Sequence, residues 1–127
     1  MNDLRAFLVE DSEIITSSLV EALHDLAKVQ VIGSAKNEAD ATAWLAGNHA
    51  RCDLVIVDVF LATGSGLGVL RAAKLIGASC TFVVLSNFAT AEMRTRCLEL
   101  GAAKVFDKSF EIEDLTSFCA ALTSSSQ

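Results

Sequence analysis

Apolar and polar positions follow two rhythms along the chain. Five short, nearly unbroken apolar runs, at residues 4–9, 29–33, 54–57, 81–85 and 103–106, recur at intervals of roughly 25 residues. Runs of this length, rich in Val, Ile, Leu and Phe, predict strands buried on both faces. Between them the apolar residues recur with helical spacing. Ile15, Leu19, Leu23 and Leu26 form an i, i+4, i+8, i+11 stripe. Asn37 is a good N-cap with Asp40 in the first turn behind it, and Gly47 is read as the stop of that helix. Leu67, Leu70, Ala73 and Lys74 precede Gly77, and Met93, Cys97 and Leu100 precede Gly101. A last helix carries Ile112, Leu115, Phe118, Cys119 and Leu122 before a polar tail, TSSSQ.

This is β-α alternation repeated five times, with each helical segment long enough for a right-handed crossover. It predicts an α/β fold, a doubly wound five-stranded parallel sheet covered by helices on both sides, over residues 1–122, with 123–127 as a tail. In open sheets of this kind, ligands sit beyond the carboxyl ends of the strands. Those ends carry Glu10 and Asp11, Asp58, Ser86 and Lys108. The stretch LVIVDVFLATGSG joins a buried strand to Asp58 and then to a loop with glycines at 64, 66 and 68.

Composition narrows the field. At 127 residues the chain can bury roughly two-thirds of its unfolded surface, enough to fold without disulfides or structural metal. Apolar residues make up 52%, yet no run approaches the ~18 residues of a membrane helix. The opening MNDLRAFLVEDSE reads as a first strand and not as a secretory signal. A soluble, cytoplasmic protein is expected. A net charge of −6 argues against direct nucleic-acid binding, which needs clustered Lys and Arg. Cys52, Cys80, Cys97 and Cys119 show no metal-ligand spacing and read as reduced, mostly core residues. His24 and His49 stand alone and read as surface or half-buried imidazoles.

Three carboxylates, a hydroxyl and an ammonium at neighbouring strand ends form a specific chemical set. Like charges ~4 Å apart repel by about 4 kcal/mol at an effective dielectric near 20. Mg²⁺ relieves this, since it takes one or two carboxylates together with waters and phosphate oxygens. With Lys108 and such an ion the local charge closes to zero, and the site can receive a phosphoryl group. Asp58 is placed to attack it, with Ser86 and Lys108 placed to hold the phosphoryl oxygens. Taken singly, Asp11 or Ser12 reads as a helix cap and Asp58 as a turn former; their joint occurrence reverses that reading.

These residues carry a resemblance. The sequence resembles the receiver domains of two-component response regulators over essentially its whole length. Glu10-Asp11 in FLVEDSE matches the family's acidic pair, Asp58 its phospho-acceptor, and DVFLATGSG the pattern that follows. Ser86 in VVLSN matches its Ser/Thr, and Lys108 in GAAKVFDKS its lysine. The resemblance implies a flavodoxin-like (βα)5 fold with strand order 2-1-3-4-5. It also implies Mg²⁺ held by Glu10, Asp11, Asp58 and the backbone carbonyl of Phe60. No enzyme activity is implied beyond phosphotransfer to Asp58 and its own dephosphorylation. The implied donor is a histidine kinase or a histidine phosphotransfer protein. The implied output surface is the fourth helix, fifth strand and fifth helix, toward an effector or a second copy. There Glu92, Arg94, Arg96, Glu99, Lys104 and Glu113 are expected to be exposed. GSGLG is neither a dinucleotide nor a P-loop signature. Phe60 stands where haloacid-dehalogenase phosphatases need a second Asp, and no His follows Asp58 as cobalamin modules require.

Four positions depart from the family pattern. Val105 stands where Tyr or Phe is usual, and Phe106 points to the opposite face, so the usual aromatic switch is missing. Ser109 replaces a proline that follows a cis bond, so a trans bond or a strained loop is expected. Ala62 replaces a loop proline in a chain without any Pro, and Asn87 follows Ser86 where a small residue is usual. Phe60 and Phe88 occupy positions that modulate phosphoryl loss in the family; neither can orient a water, so a long-lived phosphorylated form is expected. A phosphorylation-independent interaction module is the alternative, and a receiver cut from a longer regulator is a third reading.

Overall fold

The chain begins its sheet with β1 (Leu4–Val9), whose apolar side chains divide between two cores, Phe7 and Val9 in one and Leu4, Ala6 and Leu8 in the other. The structure, a computed structural model, describes residues 4–87, 89–109 and 111–125. The elements follow in strict alternation: α1 (Glu13–Ala27), β2 (Val29–Ala35), α2 (Glu38–Asn48), β3 (Leu54–Val57), α3 (Gly66–Leu75), β4 (Thr81–Ser86), α4 (Ala91–Glu99), β5 (Lys104–Asp107) and α5 (Ile112–Ser125). A 3₁₀ turn, His49–Arg51, links α2 to β3. All strand pairs are parallel, in the order β2-β1-β3-β4-β5, as expected.

The four residues of β3 are all buried, and their alternation explains why. Val55 and Val57 face a core closed by α2, α3 and α4 through Leu45, Val69, Leu70 and Cys97. Leu54 and Ile56 face a second core closed by α1 and α5 through Leu19, Leu23, Leu115 and Cys119. Each fully buried aliphatic side chain contributes about 1.5–3 kcal/mol, so a strand apolar at every position is fixed from both sides. Val105 joins the first core and Phe106 the second, so neither replaces the other.

Caps set the helix starts. Ser12 Oγ accepts from Ile15 N–H, Asn37 Oδ1 from Asp40 N–H, Ser65 Oγ from Leu67 N–H and Thr90 Oγ1 from Met93 N–H. Three boundaries differ from the sequence reading. Gly47 does not end α2: the helix runs on to Asn48, where Asn48 Nδ2 donates to Trp44 O and His49 N–H to Leu45 O. β2 continues two residues past Gly33, because Val9 pairs with Ala35 and Glu10 N–H donates to Ala35 O. α5 reaches Ser125, into the segment read as tail, with Thr123 Oγ1 donating to Cys119 O and to Ala27 O of α1. The peptide bond before Ser109 is trans.

Candidate phospho-acceptor site

Each strand end delivers one part of the site. Beyond β1, Glu10 is buried and Asp11 half-buried; beyond β3, Asp58 is buried at 7% exposure. Asp58 N–H donates to Val9 O, which locks the two acidic strand ends together. Lys108 follows β5 directly, and its N–H donates to Ser86 O at the end of β4. Its ammonium donates to Asp58 Oδ2 at 2.8 Å and pairs with Glu10 Oε1. Carboxylate oxygens of Glu10, Asp11 and Asp58 all lie within 4.8 Å of one another.

The surrounding backbone holds these groups in place. Ser12 N–H donates to Glu10 Oε2 at 3.1 Å, Phe60 N–H to Asp58 Oδ1 at 3.3 Å and Ala62 N–H to Asp11 Oδ2 at 2.7 Å. Ser12, not Asp11, caps α1, which leaves the Asp11 carboxylate to the site. Gly66 lies flat against the end of β3: a Cβ there would come 2.2 Å from Asp58 O, so the close approach admits only glycine.

The electrostatics leave the site short of positive charge. Burial, the largest influence on Glu10, raises its pKa above the ordinary carboxylate range despite Lys108 beside it. Burial pulls Lys108 down, but its hydrogen bonds to Asp58 and Glu10 more than offset this and hold its pKa above the ordinary value. Three carboxylates facing one ammonium leave two negative charges, which a divalent cation would cancel. An all-oxygen donor set of this kind suits Mg²⁺. A recess of about 200 Å³, lined by Glu10, Asp11, Asp58, Phe60, Asn87 and Lys108 among others, opens beside these groups.

Four of the residues expected at the site, Glu10, Asp11, Asp58 and Lys108, are thus gathered together. Ser86 sits at its strand end but is fully buried, and Asn87, not Ser86, lines the recess. Phe60 is half-exposed at the rim, and Phe88 lies outside the described residues. The bond from Ala62 N–H to Asp11 was not legible, because it joins residues 51 positions apart through a backbone donor.

Arg94 corrects one expectation. It is not freely exposed on α4: its guanidinium donates to Ala89 O at 3.0 Å, Val105 O at 2.8 Å and Glu111 Oε1 at 2.5 Å. Glu111 Oε1 also accepts from Asp107 N–H. Glu92, Arg96, Glu99, Lys104 and Glu113 are exposed as expected. All four cysteines are free thiols, with Cys52 and Cys119 pushed up to about 12 by burial. No helix among the described residues is long and apolar enough to cross a membrane.

Comparison with known proteins agrees with this geometry. The model of the response regulator receiver domain matches residues 6–120. Response regulator UvrY of Escherichia coli strain K12 is 23% identical over 114 residues, covering 90% of this chain and 51% of that protein. The chain therefore spans about half the length of the curated relatives it matches, or less. The receiver domain of Francisella response regulator 1452 superposes with a TM-score of 0.85 at 15% identity, over 98% of this chain and all of that one. The non-phosphorylated HemR receiver domain of Leptospira biflexa gives 0.79 at 29% identity, over 94% and 93% of the two chains. With its strand order, its acidic strand ends and its lysine in place, this chain belongs to the receiver domain family of two-component response regulators.

Proposed function

We propose that the domain takes a phosphoryl group onto Asp58 from a phosphohistidine on a kinase or phosphotransfer protein. The observation that carries this is the contact of Lys108 with both Asp58 and Glu10, beside three carboxylates within 4.8 Å of one another. An oxygen–phosphorus bond forms at the Asp58 carboxylate as the donor's nitrogen–phosphorus bond breaks, its electron pair staying with the imidazole. Glu10, Asp11, Asp58 and the Phe60 carbonyl would hold Mg²⁺. When bound, Mg²⁺ supplies positive charge against the carboxylates and the incoming phosphoryl oxygens. Lys108 keeps its proton at neutral pH and offers it to a phosphoryl oxygen in place of its present partners. Ser86 offers its hydroxyl once its strand end shifts toward the acceptor.

The phosphoryl group adds charge and acceptor oxygens at the sheet edge, and the domain answers by a shift between two states. The coupling available to such a shift is about 1–3 kcal/mol, or roughly 5- to 150-fold. The α4-β5-α5 face is the output surface toward an effector or a second copy, in a cytoplasmic protein. The intact acidic set and Lys108 speak against the inert interaction module. Beryllofluoride, a phosphoryl mimic, tests the reading: with Mg²⁺ it is expected to shift amide resonances around Asp58, Ser86 and Lys108. Unchanged spectra would favour the inert module.

A further inference from the structure

The loop after Asp58 is gripped from the side by α2. Glu38, the first residue of that helix, donates its N–H to Thr63 O at 3.3 Å and accepts from Ser65 N–H on Oε1 at 2.9 Å. Its side chain lies so close to the loop that Gly64 is forced, and a side chain at position 68 would push the carboxylate away. A Cβ on Gly64, whose φ is +82°, would lie 2.4 Å from Glu38 Cβ, and one on Gly68 would lie 2.3 Å from Glu38 Oε2. The carboxylate therefore sits over the start of α3, where its charge is also favourable.

The far side of the same loop enters the site. Ser65 bridges to Phe60, Gly66 N–H donates to Val59 O, Phe60 N–H reaches Asp58 and Ala62 N–H reaches Asp11. The chain contains no proline, so no ring fixes the loop's dihedrals locally. The restraint comes instead from a residue 27 positions away in sequence.

We propose that Glu38 is a positioning residue for the reaction at Asp58: by holding Thr63 and Ser65 it fixes where Phe60 and Ala62 stand against Asp58 and Asp11. The inference rests on the reading of Asp58 as acceptor. A site whose parts drift by about 1 Å loses up to ~10²-fold in rate, so a restraint outside the pocket matters.

Three variants, Glu38→Ala, Glu38→Gln and Gly68→Ala, decide the point. Glu38→Ala is expected to slow phosphorylation by acetyl phosphate about tenfold and to raise the half-maximal Mg²⁺ concentration several-fold. Glu38→Gln keeps an oxygen for Ser65 N–H and should restore most of both. In the metal-free protein, amide exchange at Ala62 as well as Ser65 should accelerate about tenfold in Glu38→Ala and recover in Glu38→Gln. Gly68→Ala should reproduce the Glu38→Ala effects alone but add little in the Glu38→Ala background, since the clash is with Glu38 itself. Faster exchange at Ser65 alone, with Ala62 and the Mg²⁺ requirement unchanged, would reduce Glu38 to a helix cap and overturn the proposal. A wild type that takes up no phosphoryl group would sink the acceptor reading, while the exchange data would still decide whether Glu38 controls the loop.

Discussion

Lys108 Nζ donates to Asp58 Oδ2 across 2.8 Å and pairs at the same time with Glu10, so one ammonium ties the end of β5 to the ends of β3 and β1. Both partners are buried, and the lysine side chain is itself only 10% exposed. Removing one member of such a group leaves uncompensated charge in a poorly solvated place. Lys108→Met should therefore lower stability in the absence of Mg²⁺ by about 3 kcal/mol, read by urea unfolding. Phosphoryl uptake should fall by at least ~10²-fold, because the same group would stabilise the transferred oxygens. Full stability in Lys108→Met would mean that the ammonium does not balance the carboxylates.

The close approach of Gly66 to Asp58 makes a second expectation. A methyl group there meets a backbone carbonyl 2.2 Å away, which no side-chain rotation relieves. Gly66→Ala should cost about 3 kcal/mol by chemical denaturation, the upper end of ordinary overpacking. Gly47→Ala, where a Cβ meets nothing within 4 Å inside a helix, should instead stabilise by about 0.5–1 kcal/mol.

Glu111 gives a pH dependence to the α4-β5-α5 face. Its hydrogen bond from Arg94, and then that from Asp107 N–H, hold its pKa below the usual 4.5. The unfolded chain then binds this proton more readily than the folded one. The pair's contribution is thus fully present above pH 4.5, fades as pH falls through the lower folded value, and is absent below it. Melting curves of wild type and Glu111→Gln should differ at neutral pH and converge in acid. A constant gap would show that the pairing does not depend on the carboxylate's charge. Since both side chains keep about a third of their surface in solvent, the gap should also shrink with salt.

Phe60 is expected to set the lifetime of a phosphoryl group on Asp58. Its ring is half-exposed at the rim of the recess and offers no polar atom to a hydrolytic water. Phe60→Asn should shorten the half-life of the aspartyl phosphate by roughly 10²-fold, the low end for a positioned polar group. An unchanged half-life would place control of hydrolysis elsewhere.

What could be read from sequence followed from local rules. The run 54–57 is apolar at every position, so it announced a strand covered on both faces, and the residues behind each strand announced the pocket. Gly47 misled because propensity favours a stop, whereas Asn48 continues the helix and His49 N–H caps it on the carbonyl of the buried Leu45. Arg94 misled because a charged residue in a polar helix reads as solvated. Two of its three acceptors, the carbonyls of Ala89 and Val105, carry no side-chain signal. The grip of Glu38 on Ser65 was invisible for the same reason: it joins a carboxylate to a backbone amide from another crossover unit.

The most direct measurement is intact-mass analysis after incubation with acetyl phosphate, with Mg²⁺ and with a chelator, for wild type and Asp58→Asn. Wild type should gain the mass of one phosphoryl group only when Mg²⁺ is present, and Asp58→Asn should gain none. Equal labelling of the two proteins, or labelling that the chelator leaves untouched, would contradict the assignment of Asp58 as the acceptor in a cation-dependent pocket.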